Sequence, residues 1–114
     1  MKIWLDDLRP APEGFVHCHS VNEAKDLIRA CELFKDKGMK VSGFQEFMLE
    51  DCVIELLDLD HDLGDYAKDG GDGIELVKYL ALHQYHYPVK LHTANPVGRE
   101  NMQYWVDKYI NPKY

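Results

Sequence analysis

The run Val53-Ile54-Glu55-Leu56-Leu57-Asp58-Leu59 constrains the fold more than any other stretch of the chain. It is short and mostly apolar on both alternating faces, and it runs straight into Asp60-His61-Asp62. A strand of this kind is covered on both sides, as in a parallel sheet flanked by helices. Other short apolar runs fit the same sheet. Ile3-Trp4-Leu5 stops at Asp6-Asp7. Phe15-Val16-His17-Cys18 follows a loop punctuated by Pro10, Pro12 and Gly14. Val89-Lys90-Leu91-His92 follows Pro88.

Helical signals alternate with these runs. Ser20-Val21-Asn22-Glu23 has the form of a capping box. Behind it, Ala24, Leu27, Ile28, Cys31 and Phe34 recur at helical spacing, with Gly38 as the stop. The stretch from Met39 to Asp51 reads equally as one amphipathic turn around Phe44, Phe47 and Met48 or as an irregular insert. Ile74, Val77, Leu80 and Ala81 mark a second helix that ends before Pro88. Asn95-Pro96 reads as an N-cap with proline at the first helical position. Met102, Trp105, Val106, Tyr109 and Ile110 form the apolar stripe of a last helix. The order strand, strand, helix, strand, helix, strand, helix predicts an α/β fold with a small, open, mostly parallel sheet. The link between the first two strands is short for a parallel crossover, so the second strand is expected to be a poorly formed edge.

The 114 residues make one domain, taken as residues 1–114. A net charge of −7 excludes a non-specific nucleic-acid binder, and with it duplex DNA as a partner, because phosphate contacts need a basic face. No apolar stretch approaches the roughly 20 residues of a membrane span, and the N-terminus turns acidic too early for a secretory signal. Cys18, Cys31 and Cys52 form no paired motif, so reduced thiols in the cytoplasm are expected.

In open parallel sheets, ligands bind beyond the carboxyl ends of the strands. Three strands here end in functional side chains. The first delivers Asp6, Asp7 and Arg9; the next, Asp60, His61 and Asp62; the last, His92 and Asn95, with Arg99 beyond. Parallel strands would bring all three sets to one rim. Carboxylates so close repel one another unless a pKa rises, a cationic side chain approaches or a metal binds. An oxygen-rich site favours Mg²⁺ or Mn²⁺, and the imidazoles extend the range to Zn²⁺ or Fe²⁺. His61 and His92 are candidates for proton transfer, and Arg9 and Arg99 for holding phosphate. The amides around Val97 and Gly98 would add an anion-facing helix start.

Simpler explanations exist for single motifs. An Asp-Asp pair after a strand is often a turn, Asn95 is sufficiently explained as a cap, and Arg99 as a surface residue. Asp69-Gly70-Gly71-Asp72-Gly73 lacks the spacing of a calcium or phosphate loop and reads as solvated. His17, His19, His83 and His86 read as structural or exposed. Tyr79, Tyr85, Tyr87, Tyr104 and Trp105 read as core or helix-face residues. Tyr66, in the acidic loop, is a candidate to cover a ligand.

Leu5-Asp6-Asp7-Leu8-Arg9-Pro10, Leu59-Asp60-His61-Asp62-Leu63-Gly64 and His92-Thr93-Ala94-Asn95-Pro96-Val97-Gly98 together resemble the cyclic-phosphate-processing receiver-like family. The resemblance covers most of the chain and implies a flavodoxin-like three-layer sandwich, similar to the receiver domain of response regulators. It implies a pocket with metal-binding acidic residues that processes cyclic phosphates of nucleotides or RNA ends. By position, Asp6, Asp7 and Arg9 match the first motif, Asp60, His61 and Asp62 the second, and His92 and Asn95 the third. The segment from Gly38 to Asp51 is longer than the family pattern.

The expected function is a metal-dependent phosphoesterase. Asp6, Asp7, Asp60 and Asp62 would hold the cation, His61, His92 and Asp60 would do the proton chemistry, and Arg9, Asn95 and Arg99 would bind substrate. One alternative is a phosphoacceptor signalling module with Asp60 as acceptor and Thr93 as the hydroxyl residue. It lacks the late strand with a lysine that receivers use. Another is a domain that binds a nucleotide without turnover. The partner expected in each enzymatic or binding case is a small phosphorylated ligand.

Overall fold

The computed structural model describes residues 1–37 and 53–112, with side chains given to residue 34 of the first segment. The expectations for Gly38, for residues 39–51 and for Cys52 lie outside the described residues. The elements are β1 (Lys2–Leu5), β2 (Phe15–Cys18), α1 (Val21–Lys37), β3 (Leu56–Leu59), a 3₁₀ turn (Gly64–Lys68), α2 (Gly73–Leu82), β4 (Val89–Leu91) and α3 (Pro96–Trp105), which runs into a π-helical turn (Val106–Ile110). The four strands lie in the order β2-β1-β3-β4, every pair parallel. The chain is an α/β fold of the receiver, flavodoxin-like kind.

β2 is better formed than its short connection suggests. All four of its residues pair with β1, from Lys2 opposite Phe15 to Leu5 opposite Cys18. The chain must travel back the length of β1, about 13 Å for four residues at ~3.3 Å each. The loop 6–14 spans about 30 Å when extended, so no helix is needed for the return. Gly14 at φ +87° and the Phe15 amide on the Pro12 carbonyl (3.1 Å) make the final turn into β2.

β3 is shorter than the apolar run that announces it. Only Leu56–Leu59 pair as a strand. Before it, the Glu55 amide donates to the Met1 carbonyl (2.8 Å) and the Met1 ammonium to the Val53 carbonyl (2.6 Å).

Side chains alternate across the sheet. Ile3, Leu5, Leu57, Leu59 and Leu91 form one buried face, joined by Val21, Ala24 and Ile28 of α1, Leu76, Val77 and Leu80 of α2, and Met102 of α3. The other alternation carries Trp4, His17, Asp58 and Lys90, with Trp4 opposite both His17 and Asp58, and Asp58 opposite Lys90. That face holds aromatic and charged groups where the first holds aliphatic ones.

The helix ends follow local chemistry. Ser20 Oγ accepts from the Glu23 amide (3.1 Å), as the capping box requires, but the Glu23 carboxylate reaches back to the His19 amide (2.9 Å) instead of that of Ser20. Asn95 Oδ1 accepts from the Gly98 amide (3.0 Å). In the last helix Met102, Val106 and Ile110 are buried at spacings of four, while Tyr109 stays 41% exposed because the π-helical turn widens the stripe. Tyr104 is exposed, whereas Tyr79, Tyr85, Tyr87 and Trp105 pack against the core. Cys18 and Cys31 are buried, and burial, with the Glu23 charge, pushes the Cys18 thiol up to about 12. No helix among the described residues is long and apolar enough to cross a membrane.

Candidate functional site

A crevice of about 370 Å³ opens beyond the carboxyl ends of β1, β3 and β4. Its walls are Asp6, Asp7, Arg9, Asp60, Asp62 and Asn95, with Leu8, Gly64, Thr93 and Ala94 between them. The crevice sits where the sheet order reverses. From β1 the chain moves to one edge, and from β3 it moves to the other, which is where open α/β sheets bind ligands.

Asp6 is 1% exposed and fully engaged. Its Oδ1 accepts from the amides of Leu8 and Arg9 (2.8 Å each), and its Oδ2 meets His92 Nε2 at 2.9 Å. Burial opposes its ionisation most, but the Arg9 and Leu8 amides and His92 together outweigh it, and its pKa lies below the ordinary carboxylate value. Asp60 goes the other way. Burial pushes its carboxyl up and the Asp6 charge adds to this, against hydrogen bonds from Thr93 and the His61 amide. Asp62 is held low, first by the imidazole of His61 (Nδ1 to Oδ1, 2.7 Å) and then, against slight desolvation, by Asn95. Asn95 Nδ2 donates to both Asp62 oxygens at 3.2 and 3.3 Å. Asn95 is therefore both the helix cap and part of the crevice wall.

Asp7 shares the crevice with Gly64. A Cβ on Gly64 would sit 2.6 Å from Asp7 Oδ2, and φ +55° there favours glycine as well. Arg9 reaches over the rim and donates from Nη1 to the His92 carbonyl (3.1 Å).

The two histidines do not line the crevice; they stand behind its carboxylates. The ring of His92 stacks on Trp4, centroids 3.7 Å apart and planes 3° from parallel. Its Nδ1 meets Asp58 Oδ1 at 2.8 Å while Nε2 meets Asp6. Both ring nitrogens of His92 are thus spent on carboxylates, in the chain Asp58–His92–Asp6. His61 is held by the start of α3, where a Cβ on Gly98 would lie 2.5 Å from its ring.

Arg99 turns away from the crevice. Its Nη2 donates to the Leu91 carbonyl (3.1 Å), and the residue lines a hollow along α3 with Pro96, Glu100, Gln103, Tyr104 and Asp107. Nor does the Gly98 amide face an anion, because Asn95 already occupies it.

Asp58 and Trp4 are the participants that sequence reasoning missed. Asp58 lies inside an apolar run, and the signal that marks it is a lone carboxylate in a strand otherwise made of aliphatic residues. It is 5% exposed, and a buried carboxylate needs a partner.

Asp6, Asp60 and His92 each offer a ligand atom, all within 4.8 Å of one another. His61, Asp62 and Asp72 form a second such group among the described residues. The two carboxylates of the first group suit a divalent cation, while His92 spends its ring nitrogens on Asp58 and Asp6.

A family model described as the cyclic-phosphate processing receiver domain matches residues 1–108. The chain belongs to that family. The matched range includes every residue that lines the crevice. No curated protein and no solved structure matches the chain significantly.

Proposed function

We propose that this domain is a metal-dependent phosphoesterase that opens a cyclic phosphate of a nucleotide or RNA end to a monoester. The observation that carries the reading is the convergence of Asp6, Asp60 and His92 within 4.8 Å beside a crevice walled by Asp7 and Asp62. Asp6 and Asp60 would hold a divalent cation, Mg²⁺ or Mn²⁺ ahead of Zn²⁺ or Fe²⁺, with Asp7 and Asp62 facing it across the crevice. When bound, such a cation supplies Lewis-acid stabilisation of the phosphoryl charge.

The chain's own residues do the rest. Arg9, at the rim, presents its guanidinium to a phosphate oxygen. Asp62, kept ionised by His61 and Asn95, orients the attacking water, and His61 buffers the proton that Asp62 takes up. Water adds at phosphorus, one ring P–O bond breaks, and the leaving oxygen takes a proton to become a free hydroxyl. The proton that Asp62 and His61 took from the attacking water is the one returned to that oxygen. His92 acts by holding Asp6, and Asp58 by holding His92.

The test is incubation with 2′,3′-cyclic nucleotides and each metal in turn. Monoester should form with a divalent cation and not with chelator. No product across Mg²⁺, Mn²⁺ and Zn²⁺ would remove the enzymatic reading.

One observation favours a second reading, a phosphoacceptor domain. Thr93 is 7% exposed and its side chain hydrogen-bonds Asp60. A receiver would use such a pair of acceptor and hydroxyl. Acetyl phosphate followed by intact-mass measurement decides it, since a stable adduct lost in Asp60→Asn would establish the acceptor.

A further inference from the structure

Three aromatic rings run in a row at the β2 side of the crevice, the first two stacked and the third tilted. His17 and His19 are stacked with centroids 4.0 Å apart and planes 19° from parallel. His19 and Tyr66 follow at 5.4 Å and 33°. Tyr66, at the free end, is 45% exposed. The other end joins the site directly, because His17 Nε2 meets the backbone carbonyl of Asp6 at 2.8 Å.

The turn that carries Tyr66 is pinned. Asp69 closes it and takes hydrogen bonds from Ser20 Oγ (2.6 Å) and Asn22 Nδ2 (3.0 Å), while the Asn22 amide donates to the Asp69 carbonyl (3.1 Å). The start of α1 and the 3₁₀ turn are thereby locked together, and His19 and Tyr66 are held as a pair. The turn begins at Gly64, which lines the crevice. Tyr66 is two positions on from Gly64, at most about 7 Å along the chain. Hydrophobic collapse gives no reason to hold a tyrosine ring in solvent at this distance from a phosphate site.

We propose that Tyr66 and His19 form a nucleobase subsite, so that the cyclic phosphate processed here is carried by a nucleotide and not by a base-free polyol. The phosphate end of this assignment rests on the function proposed above. A base laid on the outer face of Tyr66 extends the row by one ring. Such stacking tolerates different bases, because every base offers a π face. The subsite therefore selects for the presence of a base and weakly for its identity.

Binding tests this without turnover. The full chain, with Mg²⁺ present, is titrated calorimetrically with adenosine 2′-monophosphate and with glycerol phosphate. The nucleotide should bind on the order of tenfold tighter, the range set by one base–aromatic stack. Tyr66→Ala should remove that preference and leave glycerol phosphate binding unchanged, and Tyr66→Phe should keep it. Equal affinity for the two ligands, binding of neither, or a preference that survives Tyr66→Ala would overturn the subsite. Failure to open cyclic phosphates while the preference holds would overturn the enzymatic reading alone.

Discussion

Asp60 holds a charge that its surroundings oppose. Burial and the Asp6 carboxylate raise its pKa, so the folded state binds a proton more tightly there than the unfolded chain does. Its contribution to stability is then fully present below the unfolded value of 3.8 and is lost as pH rises through the folded value. In chelator at pH 7, Asp60→Asn should therefore raise the urea midpoint, and the gain should vanish below about pH 4. Asp6, with its pKa lowered, works in the other direction and loses stability as pH falls through its folded value. The same Asp60→Asn chain should lose metal-dependent turnover by roughly 100-fold or more, since even partners behind the ligands are worth about 10–100-fold. Asp58 is such a partner. Asp58→Ala should cost about 1–3 kcal/mol by urea unfolding, because His92 Nδ1 would be left half-buried without its acceptor. Asp58→Asn should keep most of that stability and lower turnover by about 10–100-fold. A variant with unaltered turnover would remove Asp58 from the site.

The elements place these residues through their ends. α2 closes with paired bonds from the Gln84 amide to the Ala81 carbonyl (3.2 Å) and from the Tyr85 amide to the Leu80 carbonyl (2.9 Å). This is a Schellman motif, and it puts Gln84 at φ +57°. Glycine adopts that conformation without the Cβ penalty of roughly 1–2 kcal/mol, partly offset by its unfolded-state entropy. Gln84→Gly should raise thermal stability by up to about 1 kcal/mol, and a loss would show that the Gln84 side chain matters more than its backbone. Sequence reasoning ended α2 by Pro88 because proline stops helices visibly, whereas a left-handed glutamine gives no signal. The start of α3 was legible in Asn95-Pro96, since a cap is a local event within three residues. The start of α2 was not, because it depends on a meeting of distant backbones. A Cβ on Gly73 would lie 1.9 Å from the Asp60 carbonyl, so that glycine serves the turn that presents Asp60.

At the scale of the whole molecule, a net charge of −7 gathers several of its carboxylates at one rim of a parallel sheet. A cation that binds only the folded chain stabilises it by mass action, about 2.7 kcal/mol at 100 times its dissociation constant. For a domain of this size that is roughly 10 °C or more in melting temperature. Saturating Mg²⁺ or Mn²⁺ should produce such a shift in the native chain and not in Asp60→Asn; a melting temperature indifferent to metal would remove the cation site. The sequence by itself determined the alternation of strands and helices, the parallel sheet and the rim where Asp6, Asp7, Arg9, Asp60, Asp62 and Asn95 meet, because apolar periodicity and polar strand ends are local patterns. Only the tertiary structure decided that His92 is clasped between Asp58 and Asp6, partners 34 and 86 residues away, that His61 stands behind Asp62, and that Arg99 turns to the Leu91 carbonyl. Which way a side chain at a strand end turns depends on what the neighbouring strands and helix starts place against it, and no spacing along the chain records that.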